Sequence, residues 1–241
     1  MKWIIVTGAT GGLGQAITSK ILNSTDYGVI SISSSEEYSN KEVINGYEKR
    51  FNHIKFDLKN SYGIKEIFLN KISKIGQIHG LVNNSAIAYD DIITNINMDK
   101  LIEMYYVNVF SSMNLTKYAI RNMILYKNEG SIVHISSISA HTGYKGLAMY
   151  ASTKGALEAF SKNTAREWGP KGIRSNCVAP GFMETMISSS LSDDQKEKIY
   201  KRTSLKKATD INSVAESVVF LLSDSSKSIT GTVLNVDNGT I

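Results

Sequence analysis

The sequence has one cysteine and two prolines among 241 residues, and no apolar run approaches the length of a membrane span. A lone thiol, Cys177, cannot form an internal disulfide, which suits a reducing compartment, so a cytoplasmic protein with no membrane partner is expected. The apolar run Trp3–Val6 breaks at Thr7 and Gly8, too soon for the apolar centre of a signal peptide. Without a Pro/Gly-rich linker, a charge block or a low-complexity tract, nothing divides the chain, and one domain over residues 1–241 is expected. The four histidines, His53, His79, His134 and His141, lack metal-ligand spacing, so no metal is expected.

The formal net charge is +5, but the 27 basic residues are dispersed. Lys196, Lys198, Lys201, Arg202, Lys206 and Lys207 form the local exception, read either as a solvated helix face or as a surface for an acidic carrier or substrate. No basic motif interleaved with aromatics appears, so nucleic acid is not an expected partner.

Short apolar runs alternate with longer helical patterns, the signature of strand–helix–strand units. Strands are predicted at Trp3–Thr7, Val29–Ser33, His53–Asp57, Gly80–Asn83, Gly130–Ser136, Arg174–Ala179 and Val233–Val236. Helices are predicted over Gly12–Asn23, Ile64–Ile75, Lys100–Tyr126, Tyr150–Trp168 and Val214–Ser223. The fold class is α/β, a doubly wound parallel sheet of about seven strands flanked by helices, with ligands outside the carboxyl ends of the strands. The polar stretch 181–208 is long for a connection and reads as a small helical insertion or a lid, with 182–208 as a substrate loop.

Thr7-Gly8-Ala9-Thr10-Gly11-Gly12-Leu13-Gly14 lies at the first strand–helix turn. Missing side chains there let the backbone approach a pyrophosphate, and the helix N-terminus offers N–H groups and a positive dipole end. The ending Gly-Lys-Ser/Thr of an ATP-type loop is absent. The second strand ends at Ser33-Ser34-Ser35, with no acid until Glu36. Hydroxyls can donate to a ribose 2′-phosphate and a carboxylate cannot, which favours NADP, with NAD possible.

A Tyr and a Lys four residues apart share a helix face, and a neighbouring cation lowers a phenol's pKa toward the working range. In a chain with 12 tyrosines such a pair arises readily by chance, so its context is what matters. Tyr150-Ala151-Ser152-Thr153-Lys154 opens a predicted helix, and Ser137 lies 13 residues before Tyr150 at the end of the fifth strand.

This arrangement, with the Gly-x3-Gly-x-Gly loop and Asn83-Asn84-Ser85-Ala86 after the fourth strand, resembles the short-chain dehydrogenase/reductase family over nearly the whole chain. The resemblance implies a single-domain Rossmann-type oxidoreductase, usually a homotetramer or dimer, that moves hydride between a nicotinamide and a carbonyl or secondary alcohol. It implies a catalytic set of Asn108, Ser137, Tyr150 and Lys154. Tyr150 would donate the proton, Lys154 would tune it and bind the nicotinamide ribose, Ser137 would bond the substrate oxygen, and Asn108 would hold a water. The cofactor would meet Gly8, Thr10, Gly11, Gly12, Leu13, Gly14, Ser33, Ser34, Asp57, Leu58, Asn84, Ala86, Tyr150 and Lys154, then Pro180, Gly181, Met183 and Thr185 after the sixth strand. The substrate would lie against Ser137, Ser139, Tyr144, Leu147 and Tyr150.

Among members the sequence is most like 3-oxoacyl-acyl-carrier-protein reductases, implying a small-molecule or carrier-bound carbonyl substrate. A dehydrogenase or reductase of a sugar or other small alcohol is the second reading, and a catalytically silent NAD(P)-sensing module the third.

Overall fold

Trp3–Thr7 forms strand β1, buried along its whole length as a strand covered by helices on both faces must be. The computed structural model describes residues 1–184 and 192–240. After β1 come helix α1 (Gly12–Ser24), β2 (Gly28–Ser33), the short α2 (Lys41–Ile44) and β3 (Phe51–Lys55). A helix over residues 64–75, α3, leads to β4 (Ile78–Asn83), and one over 98–125, α4, leads to β5 (Gly130–Ile135). Then follow α5 (Ala148–Trp168), β6 (Ile173–Pro180), α6 (Asp193–Tyr200), α7 (Ile211–Leu222) and β7 (Val233–Val236).

All neighbouring strands pair in parallel, in the order β3-β2-β1-β4-β5-β6-β7. The chain runs outward to β3, then returns past β1 to continue on the other side. The reversal between β1 and β4 opens a crevice at the carboxyl ends of the strands, where such sheets bind ligands. Two apolar layers flank the sheet. One joins Ile5, Ile30 and Leu81 to Phe68, Leu115 and Met123; the other joins Val6, Val29 and Val133 to Ile17, Ile21, Val214 and Val218.

Element types match the sequence reading, with shifts at the ends. The third strand starts two residues earlier than predicted and ends at Lys55, because Phe51 packs edge-on against Tyr38, ring centroids 4.8 Å apart, and so belongs to the sheet. α3 and α4 each contain a turn of π-helix, Phe68–Ile72 and Tyr106–Phe110. Within the stretch expected as insertion or lid, Asp193–Tyr200 is helical and opens with a capping box between Ser192 and Gln195. Among the described residues no helix is long and apolar enough to cross a membrane.

Candidate active site

The glycine loop requires small residues at two positions and leaves a third open. Gly8 has φ +62°, and a Cβ there would lie 2.9 Å from Ser85 Oγ. A Cβ on Gly14 would lie 2.1 Å from the Gly8 carbonyl oxygen, so this glycine lets α1 close onto the loop. Gly12 differs: a Cβ there would meet nothing within 4 Å, and the residue is exposed. Gly11 begins α1 with no side-chain cap and no acid in the first turn. The combination is an open cradle at the positive end of a helix, the surroundings a pyrophosphate requires.

The neighbouring strand ends complete this cradle. Asn84 Nδ2 donates to the Thr7 and Gly8 carbonyls at 2.9 and 3.2 Å, so its amide shapes the loop. Asn83 turns away, donating to Thr116 Oγ1 at 3.2 Å with His134 Nδ1 at 3.1 Å. At the end of β2, Ser33 Oγ is buried with no hydrogen-bond partner, and Ser34 is exposed. His53 braces this segment from β3, with Nδ1 at 2.9 Å from Ser31 Oγ and Nε2 at 3.1 Å from the Ser35 carbonyl. Glu36 pairs with Lys55.

Tyr150 and Lys154 lie in the first two turns of α5, against the end of β5. Lys154 is 2% exposed, its Nζ donates to the Ile135 carbonyl at 2.8 Å, and it stands 5.4 Å from the centre of the Tyr150 ring. Burial pushes the Lys154 ammonium down to about 8. Burial, with the Asp90 carboxylate adding to it, pushes the Tyr150 phenol up to about 12. The expectation that Lys154 draws the phenol toward neutrality is therefore corrected. Desolvation and a nearby anion dominate, and the ammonium is directed at a backbone carbonyl.

Ser137 is half-buried and caps the turn Ile138–Ala140, its Oγ accepting from the Ser139 N–H at 3.2 Å. The adjacent Ser136 is buried and bonded to Glu158, so of the two serines Ser137 is the more accessible. Ser139 Oγ is buried without a partner, while Tyr144 and Leu147 are half-buried just ahead of α5. Asn108 sits in the π-helical turn of α4. Its Oδ1 accepts from the Ile87 N–H at 2.9 Å, and its Nδ2 donates to the Ile87 carbonyl at 3.0 Å and to Thr153 Oγ1 at 3.1 Å.

A family model described as enoyl-(acyl carrier protein) reductase matches residues 8–240. The 3-oxoacyl-acyl-carrier-protein reductase of Buchnera aphidicola is 33% identical over 99% of this chain and 96% of its own. That of Escherichia coli is 32% identical over the same shares. The chain belongs to the short-chain dehydrogenase/reductase family. It is an NAD(P)-dependent oxidoreductase with a Rossmann-type fold. A solved structure of ElxO with NADP bound superimposes with a TM-score of 0.89 at 28% identity, covering 98% of this chain and 97% of that one.

On this short-chain dehydrogenase/reductase, the remaining sequence-derived positions fall into place unequally. Thr10 and Leu13 flank the open glycines, Thr10 half-buried with its carbonyl accepting from Gln15 Nε2 at 2.8 Å. Asp57 is exposed and caps its own turn, Oδ1 accepting from the Lys59 N–H at 2.9 Å, and the Leu58 carbonyl accepts from Ser111 Oγ at 2.5 Å. Ala86 is half-buried beside the loop. Pro180 and Gly181 are buried at the end of β6, where a Cβ on Gly181 would strike Thr209 Oγ1 at 2.5 Å. Met183 packs against the second apolar layer, and Thr185 lies outside the described residues.

The sequence reading missed Asp90 and Glu158. Asp90 stands in the loop after β4, and its signal is only visible in three dimensions. Glu158 carried a readable signal, since it follows Lys154 by four residues and therefore shares its helix face.

Proposed function

We propose that this enzyme reduces a β-keto thioester to its 3-hydroxyacyl form with NADPH, using Asn108, Ser137, Tyr150 and Lys154. The observation that carries the reading is the buried Lys154 beside Tyr150, hydrogen-bonded to the end of β5 two residues before Ser137. The cradle fits a dinucleotide, with Gly12 open to a pyrophosphate and Ser33 and Ser34 at the position of a ribose 2′-substituent. Bound NADPH supplies the hydride that reaches the carbonyl carbon. Ser137 donates a hydrogen bond to the carbonyl oxygen, and Tyr150 gives that oxygen its proton. Lys154, held at the Ile135 carbonyl, leaves its remaining ammonium hydrogens for the nicotinamide ribose. Asn108 holds Ile87 and Thr153 in place and so ties the loop after β4 to α5 behind the catalytic pair.

Support for NADP comes from the hydroxyl-bearing end of β2 and from the NADP-bound ElxO neighbour. The named relatives act on acyl-carrier-protein thioesters, and exposed Lys198, Arg202 and Lys207 give this chain a basic face for such an acidic carrier. The protein is read as a single domain in the cytoplasm, where a free buried thiol suits the redox conditions, and residues 182–208 as its substrate loop. It is read as a homotetramer or dimer because Ile102 and Phe110 are 47% and 45% exposed on α4, apolar surface that a second copy would cover.

The test is a screen of purified protein with NADPH and NADH against β-keto thioesters, simple ketones and sugar alcohols. The expected result is the highest kcat/KM with NADPH and a β-keto thioester. A clear preference for a sugar alcohol would replace the thioester reading, and cofactor binding without turnover on any of them would leave a sensing module.

A further inference from the structure

Side chains one turn apart on α5 hold two consecutive residues at the end of β5. Lys154 donates to the Ile135 carbonyl, and the next residue, Ser136, donates from Oγ to Glu158 Oε1 at 2.5 Å. The second carboxylate oxygen of Glu158 lies 2.8 Å from His141 Nε2, on the far side of the Ile138–Ala140 turn. A single carboxylate, in a residue 8% exposed, therefore grips both ends of residues 136–141.

That segment carries Ser137 and Ser139. Its own hydrogen bonds make it a stiff turn: the Ala140 N–H donates to the Ser137 carbonyl at 3.0 Å and the His141 N–H to the Ile138 carbonyl at 2.9 Å. The Ser136 N–H ties it to β6 through the Val178 carbonyl at 2.7 Å. None of these bonds fixes the turn relative to α5, the helix that carries Tyr150. Among the described residues, both side-chain hydrogen bonds from the turn to α5 end on Glu158. Burying a carboxylate is costly unless donors meet it, and here one donor comes from each end of the turn.

We propose that Glu158 is a positioning residue that sets the Ser137 hydroxyl against the Tyr150 phenol by clasping the serine turn to the tyrosine helix. This rests on the roles proposed for Ser137 and Tyr150. A misplacement of about 1 Å between reacting groups can cost up to about 100-fold in rate, so the clasp acts on turnover and leaves cofactor binding alone.

Glu158→Leu removes both ties, whereas Glu158→Gln keeps an acceptor for Ser136 and presents an amide to the His141 ring. His141→Ala removes one tie at a ring 35% exposed, in a chain whose core is otherwise intact. The expected result, per folded site, is a kcat lowered roughly 10- to 100-fold in Glu158→Leu, partly lowered in His141→Ala and largely restored in Glu158→Gln. The NADPH Kd stays within about twofold throughout, because no tie reaches the α1 cradle. Amide hydrogen exchange over residues 136–142 quickens in Glu158→Leu and His141→Ala, a readout that needs no turnover. Unchanged exchange and unchanged kcat in both variants would overturn the clasp. Quickened exchange in both variants of an enzyme whose wild type reduces no carbonyl would support the clasp and overturn the catalytic reading instead.

Discussion

A phenol held near 12 keeps its proton throughout the neutral range, so Tyr150 is set to give a proton and poorly set to take one. Lys154, brought down to about 8, holds its charge at neutrality and loses it just above. Reduction should therefore be level from about pH 6 to pH 7 and fall as pH rises through about 8 and the ammonium deprotonates, in kcat/KM profiles measured with NADPH. A reduction rate still climbing at pH 9 would contradict this assignment. Tyr150→Phe should lose about 100- to 10,000-fold in kcat while binding NADPH normally in a fluorescence titration. Gly14→Ala should do the reverse of that separation, weakening NADPH binding about tenfold or more, because its Cβ cannot coexist with the Gly8 carbonyl unless the loop moves. These residues were readable in the sequence since glycine spacing and the Tyr–Lys interval depend on local geometry alone. The direction of the Tyr150 shift was not, because burial and the Asp90 carboxylate belong to the assembled crevice.

At the level of elements, α4 owes its use to an irregularity. Its π-helical turn, Tyr106–Phe110, places Asn108 where its amide bonds the Ile87 backbone on both sides and reaches Thr153 on α5. Asn108→Ala strips a donor and an acceptor from part-buried backbone groups of Ile87, each worth about 1–3 kcal/mol when left unmet. Denaturant melts should show a loss of about 2–4 kcal/mol together with reduced turnover, and a stable but inactive variant would argue for a purely chemical role. Sequence patterning gave the helix but not this turn, since a π-helix shifts register by one residue without altering composition. The seven strands were legible from apolar runs bounded by turn residues, whereas α2 was hidden in a polar stretch where only the Asn40 cap marks it. The clasp of Glu158 lay between these cases: its helix face could be read, its partners across the turn could not.

Across the whole molecule, the buried groups make stability depend on pH. His134, wholly enclosed on β5 and near Lys154, is pushed down to about 3 and stays neutral in the fold. An unfolded chain protonates a histidine near 6.5, so below that pH the unfolded state binds the extra proton. The stability that His134 contributes is present above about 6.5 and drains away as pH falls toward 3, at up to about 1.4 kcal/mol per unit. Urea melts of His134→Gln at pH 7, 5 and 4 should be flatter with pH than those of the wild type, and parallel curves would refute this.

The burial of Lys154 has a consequence for selection. A charged amine enclosed at neutral pH works against folding, and Lys154→Met should melt at a higher temperature by the equivalent of about 1–3 kcal/mol, offset in part by the orphaned Ile135 carbonyl. A library ranked by heat resistance alone would favour such a variant and discard the chemistry. Selection for turnover keeps the lysine, and any robust version of this enzyme must find its gains elsewhere.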